Sequence, residues 1–132
     1  MKINRGREAG ASSEDRTDGQ TFTGNVWADP VLREVPGVSV NTVFFAHGGR
    51  TYWHRHTEGQ VLLVTSGAGL VQSRGGGAER IGAGDVVHSD PGEEHWHGSG
   101  RETMMVHTAV SLGVTEWLEE VSEEDYRAAL EG

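Results

Sequence analysis

Short apolar segments recur along the chain from Phe22 onward, separated by Gly, Pro, Asp or Asn. Their repeat of roughly 8 to 12 residues is typical of a β-sandwich or β-barrel and predicts an all-β protein. The high content of glycine, 20 residues against 3 prolines, fits many short strands joined by tight turns. The predicted strands lie near 22–28, 38–45, 51–56, 60–65, 69–73, 79–81, 85–88, 95–97 and 103–110.

The two ends of the chain depart from this pattern. Residues 1–20 are rich in Gly, Ser and charged residues and offer little to bury, which predicts a flexible tail or a dimer arm that orders only against a neighbouring subunit. Apolar residues four apart near the other end predict two helices, 115–121 and 122–130, the second with Ser122 as N-cap. The predicted organisation is therefore a tail at 1–20, a β-barrel at 21–112 and a helical segment at 113–132.

Composition and charge exclude several classes of partner. With 11 Lys and Arg against 20 Asp and Glu the formal net charge is −9, and the basic residues are scattered, so we expect neither a nucleic-acid nor a membrane partner. No segment resembles a signal peptide or a membrane span, and a cytoplasmic protein of one domain is expected. There is no cysteine, so any metal must be held by nitrogen and oxygen.

Two histidine pairs carry most of the chemistry in this sequence. His54 and His56 are one residue apart, Gln60 follows four residues later, and His95 and His97 repeat the spacing. Side chains alternate between the two faces of a strand, so the members of each pair point the same way. Two such strands facing one interior can bring several imidazoles to one point, where they suit zinc, iron, nickel, copper or manganese. The spacing therefore predicts a metal site inside the barrel.

Two histidines are candidates for moving a proton. His97 shares the face of His95 but lies about 6.6 Å further along the strand, which favours acid/base chemistry beside the metal over ligation. His107 falls on the inward face of its strand, where a packed core histidine is the alternative interpretation. His47 and His88 lie near turns and are expected at the surface.

The same alternation predicts a pocket and an interface. When the histidine pairs face inward, Trp53 and Trp96 face outward, and so do alternate apolar residues of 60–65. Strands that are apolar on both faces need cover on both, so we expect a homodimer or a higher homo-oligomer. The expected walls of a small-molecule pocket, for which core filling is an equally good interpretation, are Asn41, Val43, Phe45, Tyr52, Leu62, Val64 and Met105.

The runs from Gly48 to Gly67 and from Gly84 to Ser99 resemble the two conserved motifs of the cupin superfamily. This resemblance covers about residues 37–110, and it implies a single-domain jelly-roll barrel of two antiparallel sheets with a metal ion inside. The metal ligands that it implies are His54, His56, Gln60 and His95. Gln60 stands where the family usually has Glu, Asp90 where it has Pro, and Ser99 where it has Asn.

Gln60 changes the charge of the implied site. Three neutral imidazoles and a carboxamide offset none of the charge of a divalent ion, so we expect looser metal binding and stronger Lewis acidity than with Glu. A set of three nitrogens and one oxygen suits manganese or iron and allows zinc, nickel or cobalt.

A closer resemblance involves residues 91–98, Gln60 and residues 116–126, which look like the small bacterial cupins labelled carboxymuconolactone-decarboxylase-like. Some of these are manganese-dependent hydroxynitrile lyases, which split a cyanohydrin into an aldehyde and hydrogen cyanide, and in which residues matching His97 and His107 transfer protons. The resemblance implies a metal-dependent enzyme, with manganese as the first metal to expect, acting on a small carbonyl or hydroxyl compound. An iron-dependent dioxygenase and a non-catalytic small-molecule-binding cupin are the alternatives.

Overall fold

The computed structural model describes residues 1–7, 12–16 and 20–132. Its elements in chain order are β1 (Glu14–Asp15), β2 (Phe22–Thr23), β3 (Val26–Leu32), β4 (Val38–Phe45), β5 (Arg50–Thr51), β6 (His54–His56), β7 (Gln60–Ser73), β8 (Ala78–Gly82), β9 (Val86–Ser89), β10 (His95–Ser99), β11 (Met105–Leu112), β12 (Thr115–Trp117) and α1 (Glu123–Glu131). The all-β prediction is confirmed, with one short helix at the end.

All the strands pair antiparallel in one curled sheet, with the order β1-β3-β4-β11-β7-β10-β5-β2 along its main path. Strand β7 is shared by the two halves of the barrel, because its first part pairs with β11 and its last part with β10. We predicted two strands here, 60–65 and 69–73, and the structure has one strand with a bend between them. Glycine permits the bend: a Cβ on Gly67, whose φ is +77°, would lie about 2 Å from the carbonyl oxygen of Met104, and a Cβ on Gly69 would lie about 2 Å from that of Gly98.

The interior of the barrel is filled by apolar side chains from both halves. Phe45 and Met105 are fully buried at its centre, and they face each other across the β4–β11 pair. The remaining buried members of this inner core are Phe22, Val26, Ala28, Val43, Val64 and Ile81. These residues occupy alternate strand positions, as inward-facing residues of a barrel must.

A second core lies outside the barrel, between the sheet and α1. It contains Trp53, Leu70, Trp96, Val121, Tyr126 and Ala129. Trp96 is 0% exposed, and Tyr126 covers it with ring centres 6.0 Å apart. The expectation that a second subunit covers the outward face of Trp96 is therefore corrected: the chain's own C-terminal segment covers it. A homo-oligomer stays a prediction, and its remaining support is exposed apolar side chains such as Leu63 and Val86, at 39% and 63%.

The helix predicted at 115–121 is wrong. Residues Thr115–Trp117 form β12, in which Thr115 pairs with His56 and Trp117 with His54, and the amide of Leu118 donates to the carbonyl of Trp53. Without β12, strand β6 would have unpaired backbone N–H and C=O groups along one edge. An extended segment can form hydrogen bonds with these groups, whereas a helix cannot. The second predicted helix is confirmed as α1, since the hydroxyl of Ser122 accepts a hydrogen bond of 3.0 Å from the amide of Asp125.

The N-terminal arm packs on its own chain where the structure describes it. Glu14 and Asp15 pair with β3, and the side-chain amide of Asn4 donates to the carbonyl of Val31 over 2.7 Å. The expectation that this arm orders only against a neighbour is therefore wrong for these residues, because an edge strand of the same chain offers free backbone groups. The rest of that prediction falls on 8–11 and 17–19, outside the described residues. Within the described residues, no helix has the length and apolarity to cross a membrane.

Candidate metal centre

A cavity of about 120 Å³ opens inside the barrel between β4, β6, β11 and β12. Its lining includes the polar residues His54, His56, Gln60, His97, His107 and Ser111 and the apolar residues Phe22, Val43, Phe45, Ala109 and Trp117. A β-bulge in the pairing of β11 with β7 lies directly beside His107. Among the residues that the structure describes, no carboxylate lines this cavity.

Three buried histidines form a cluster, and two of them, His54 and His97, line the cavity. One ring nitrogen from each of His54, His95 and His97 lies within 4.8 Å of the others. The cluster follows from strand pairing, because His95 of β10 is opposite His54 of β6 and the inward face of β10 also carries His97. The ring centre of His56 is 5.0 Å from that of His54, so four imidazoles meet here. Three nitrogens at this separation could hold a metal ion.

Hydrogen bonds to Nδ1 orient two of these rings. The Nδ1 atoms of His54 and His95 each lie 2.9 Å from a backbone carbonyl, that of Tyr52 and that of Glu93. A carbonyl can only accept, so Nδ1 carries the proton and Nε2 keeps the lone pair that a metal requires. Both carbonyls belong to the residue two before the histidine, and each extended strand therefore supplies its own anchor.

Gln60 lies beside this histidine cluster. Its amide nitrogen donates to the hydroxyl of Ser111 over 3.0 Å, and this bond turns the amide oxygen toward His95. That oxygen lies 2.9 Å from Nε2 of His95. A neutral imidazole whose Nδ1–H already donates to Glu93 faces this oxygen with a lone pair, which is unfavourable unless both atoms are ligands of one cation. The donor set at Gln60 and His95 therefore fits a metal ion.

Burial keeps the cluster neutral. It lowers the pKa of His56 to about 4, and it lowers the pKa of His95 and, far more, that of His54, where the neighbouring His95 adds to the effect. Neutral imidazoles are the form that ligates metal. The Nε2 atom of His56 is buried and has no hydrogen-bond partner within the described chain, a second observation that fits a bound cation.

His97 and His107 form a hydrogen-bonded pair deeper in the cavity. Nε2 of His107 lies 3.0 Å from Nδ1 of His97, and both rings pack against Phe45. Burial, followed by the neighbouring His107, lowers the pKa of His97 far below its usual value, and burial lowers the pKa of His107 to about 4. Nε2 of His97 is buried and has no hydrogen-bond partner in the described part of the structure, and the ring of His97 belongs to the three-histidine cluster. This nitrogen can take a proton from a molecule in the cavity.

Only some of the expected pocket walls line this cavity. Asn41, Val43 and Phe45 do so from β4. Leu62, Val64 and Met105 are instead packed into the interior of the barrel, at most 3% exposed, and do not line the cavity. Tyr52 lies outside the lining as well, because its backbone pairs with Thr21 at the edge of the sheet. His88 is at the surface with 65% of its side chain exposed, and His47 is also exposed.

Several lining residues escaped the sequence argument. Thr115 and Trp117 belong to the segment that was predicted as a helix, and their alternate positions on a strand would have placed both on one face. Phe22 also lines the cavity next to Trp117, with the two ring centres 5.7 Å apart. If residues 115–117 had been interpreted as a strand, Thr115 and Trp117 would have been predicted to line the cavity.

Residues 41–110 match the cupin domain family. The chain belongs to the cupin family. This cupin is 39% identical over 130 residues to an (R)-mandelonitrile lyase from Granulicella tundricola, a match that covers 92% of this chain and 97% of the lyase. A cupin-like protein of known structure from Thermotoga maritima is also 39% identical, with a TM-score of 0.86 over 95% of this cupin and 99% of that chain. A polyketide cyclase from Streptomyces resistomycificus shares the fold at 16% identity, with a TM-score of 0.73 over 96% of this cupin and 92% of the cyclase.

Proposed function

We propose that this cupin is a metal-dependent lyase that splits a small cyanohydrin into an aldehyde and hydrogen cyanide, and joins them in reverse. The observation that carries the proposal is the position of His97: its ring belongs to the histidine cluster, its buried Nε2 has no hydrogen-bond partner among the described residues, and its Nδ1 is held by His107. The 39% identity to an (R)-mandelonitrile lyase over most of both chains supports the same reaction class.

The metal would be held by His54, His56, Gln60 and His95. When bound, the ion supplies Lewis acidity that polarises the oxygen of the substrate. These four side chains are neutral, and no described residue of the cavity lining is a carboxylate, so the protein leaves both positive charges of the ion uncompensated. Three nitrogens and one oxygen favour manganese, with iron, zinc, nickel and cobalt as alternatives.

His97 moves the proton. It is buried and neutral, so Nε2 can accept the hydroxyl proton of the cyanohydrin while Nδ1 donates to Nε2 of His107. The bond between the carbinol carbon and the nitrile carbon then breaks, its electron pair leaves with cyanide, and the oxygen forms the carbonyl. Because burial makes the protonated His97 a stronger acid than an exposed imidazolium, it returns the proton to cyanide as hydrogen cyanide leaves. One proton is transferred twice, and no oxidant is required.

The test reconstitutes metal-free protein separately with Mn²⁺ and with Fe²⁺, and measures cyanide release from mandelonitrile together with oxygen uptake. We expect cyanide release with Mn²⁺ and none without metal. His97→Ala should keep its metal and lose turnover, His54→Ala should lose its metal, and the surface variant His88→Ala should behave as the native protein. Oxygen uptake with Fe²⁺ and no cyanide release with either ion would contradict the proposal and favour a dioxygenase. Turnover that survives in His97→Ala would remove His97 from the reaction.

A further inference from the structure

The three implied histidine ligands are anchored in two different ways. His54 and His95 are each held by the backbone carbonyl two residues earlier, so their anchors are local and independent of side-chain identity. His56 is held by a side chain instead: its Nδ1 lies 3.0 Å from the hydroxyl of Thr115, 59 residues further along the chain. One of the three implied ligands, His56, therefore depends on a single hydroxyl from the C-terminal part of the protein.

A hydroxyl and a carbonyl differ in what they impose on an imidazole. The carbonyls at His54 and His95 can only accept, so they fix the proton on Nδ1. The hydroxyl of Thr115 can accept from Nδ1–H of His56 or donate to a bare Nδ1. In the first case Nε2 of His56 presents a lone pair to the cavity, and in the second it presents a proton. Only the first tautomer can bind a metal ion through Nε2.

Thr115 is held on a strand rather than on a loop. In β12 it is directly opposite His56, and Trp117 is opposite His54 and packs against that ring with centres 4.8 Å apart and the two planes tilted by 38°. The segment continues into the outer core, where Val121 and Tyr126 are fully buried. The hydroxyl therefore has a fixed position, and its distance to His56 does not depend on a mobile segment.

We propose that Thr115 is a positioning residue that sets the metal affinity of the site by orienting His56 and selecting its Nδ1–H tautomer. The inference rests on the proposed role of His56 as a ligand and is independent of the lyase reaction. An orienting partner of a metal-bound histidine typically contributes about 10–100-fold to metal affinity. The same factor is expected here, with no change in the fold, because Thr115 contributes its backbone to β12 whatever its side chain.

The test compares Thr115→Val, which keeps the branched shape and removes the hydroxyl, with Thr115→Ser, which keeps the hydroxyl. Mn²⁺ is titrated into the metal-free proteins by calorimetry. We expect Thr115→Val to bind about 10–100-fold more weakly and Thr115→Ser to bind close to the native protein. Thr65→Val is the matched control, since its hydroxyl donates to the carbonyl of Val106 on the opposite face of the sheet. Native affinity in a folded Thr115→Val protein would overturn the proposal.

A spectroscopic measurement keeps the proposal testable if Thr115→Val folds poorly. Imidazole ¹⁵N spectra of the metal-free native protein should show His56 with its proton on Nδ1, and a proton on Nε2 would overturn the proposal. Unchanged Mn²⁺ affinity in His56→Ala would also overturn it, without bearing on proton transfer by His97. Conversely, absence of cyanide release together with weakened Mn²⁺ binding in Thr115→Val would refute the lyase and leave the role of Thr115 standing.

Discussion

Acid should destabilise the metal-free protein, and replacing His107 should remove a defined part of the effect. His107 is 0% exposed, and burial lowers its pKa in the folded protein to about 4 from 6.5. The unfolded chain binds this proton below pH 6.5 and the folded chain does not, so the stability that His107 contributes is complete above pH 6.5 and is lost as the pH falls toward 4. At about pH 5, which is about 1.5 units below the pKa of the unfolded chain, protonation of His107 lowers the free energy of unfolding by about 2 kcal/mol.

This loss is large enough to measure against a typical stability of about 5–15 kcal/mol. Urea unfolding of the metal-free protein at about pH 7.5 and about pH 5 gives the two free energies of unfolding. His107→Gln keeps a hydrogen-bonding group beside His97 but cannot take up a proton in this range. The variant should therefore lose about 2 kcal/mol less than the native protein between the two conditions.

The comparison cancels the shared titrating groups whose pKa values His107 does not influence. Burial lowers the pKa values of His56 and His95, and these two groups act in the same direction in both proteins. His88→Gln is the matched control, because it removes an imidazole at the surface. If His107→Gln and the native protein lose the same free energy on acidification, the buried neutral state of His107 is refuted.

Three substitutions test other parts of the structure. Gln60→Glu should hold Mn²⁺ more tightly through dialysis against a chelator and release cyanide more slowly, because a carboxylate offsets one charge of the ion; faster release would contradict the charge argument. Gly98→Ala should lower stability by about 1–3 kcal/mol in thermal unfolding, since its Cβ would lie 2.5 Å from both the Cβ of Arg50 and the carbonyl oxygen of Gly49, whereas Gly77→Ala meets nothing within 4 Å and should be neutral. Trp96→Ala should cost about 3–5 kcal/mol in urea unfolding, and a cost close to that of the exposed Val114→Ala would show that the outer core contributes little.

The parts of the fold that the sequence predicted are those in which a local pattern and the tertiary structure agree. Strand β4 lies at the predicted positions, and the two His-x-His pairs lie on strands with their side chains inward. In each case alternation of side chains with a period of two is sufficient evidence, because both faces of these strands contact other parts of the protein. The bend in β7 was the exception, since Gly67 and Gly69 resemble turn residues although the strand continues through them.

The segment around β12 shows why a local pattern can mislead. Trp117 and Val121 are four residues apart, as on one face of a helix, but they contact different neighbours: Trp117 packs against His54, and Val121 lies in the outer core. The decisive interaction is the open edge of β6, 59 residues away from Thr115 in sequence. Helix periodicity contains no information on a distant edge, so the strand could not be predicted from spacing alone.

The C-terminal segment joins the outer core to the cavity. The guanidinium of Arg50, which is 4% exposed, stacks on the ring of Tyr126 at 4.2 Å and donates to the carbonyl of Val121 over 3.1 Å. Tyr126 in turn donates its hydroxyl to the carbonyl of Ser99 over 2.7 Å, at the end of the strand that carries His95 and His97. The hydroxyl of Ser99, where cupins usually have Asn, donates to the carbonyl of Ala46. Docking of α1 therefore fixes both β12, which bears Thr115, and the end of β10, so the helix that covers the outside of the barrel also stabilises the geometry of the histidines inside it.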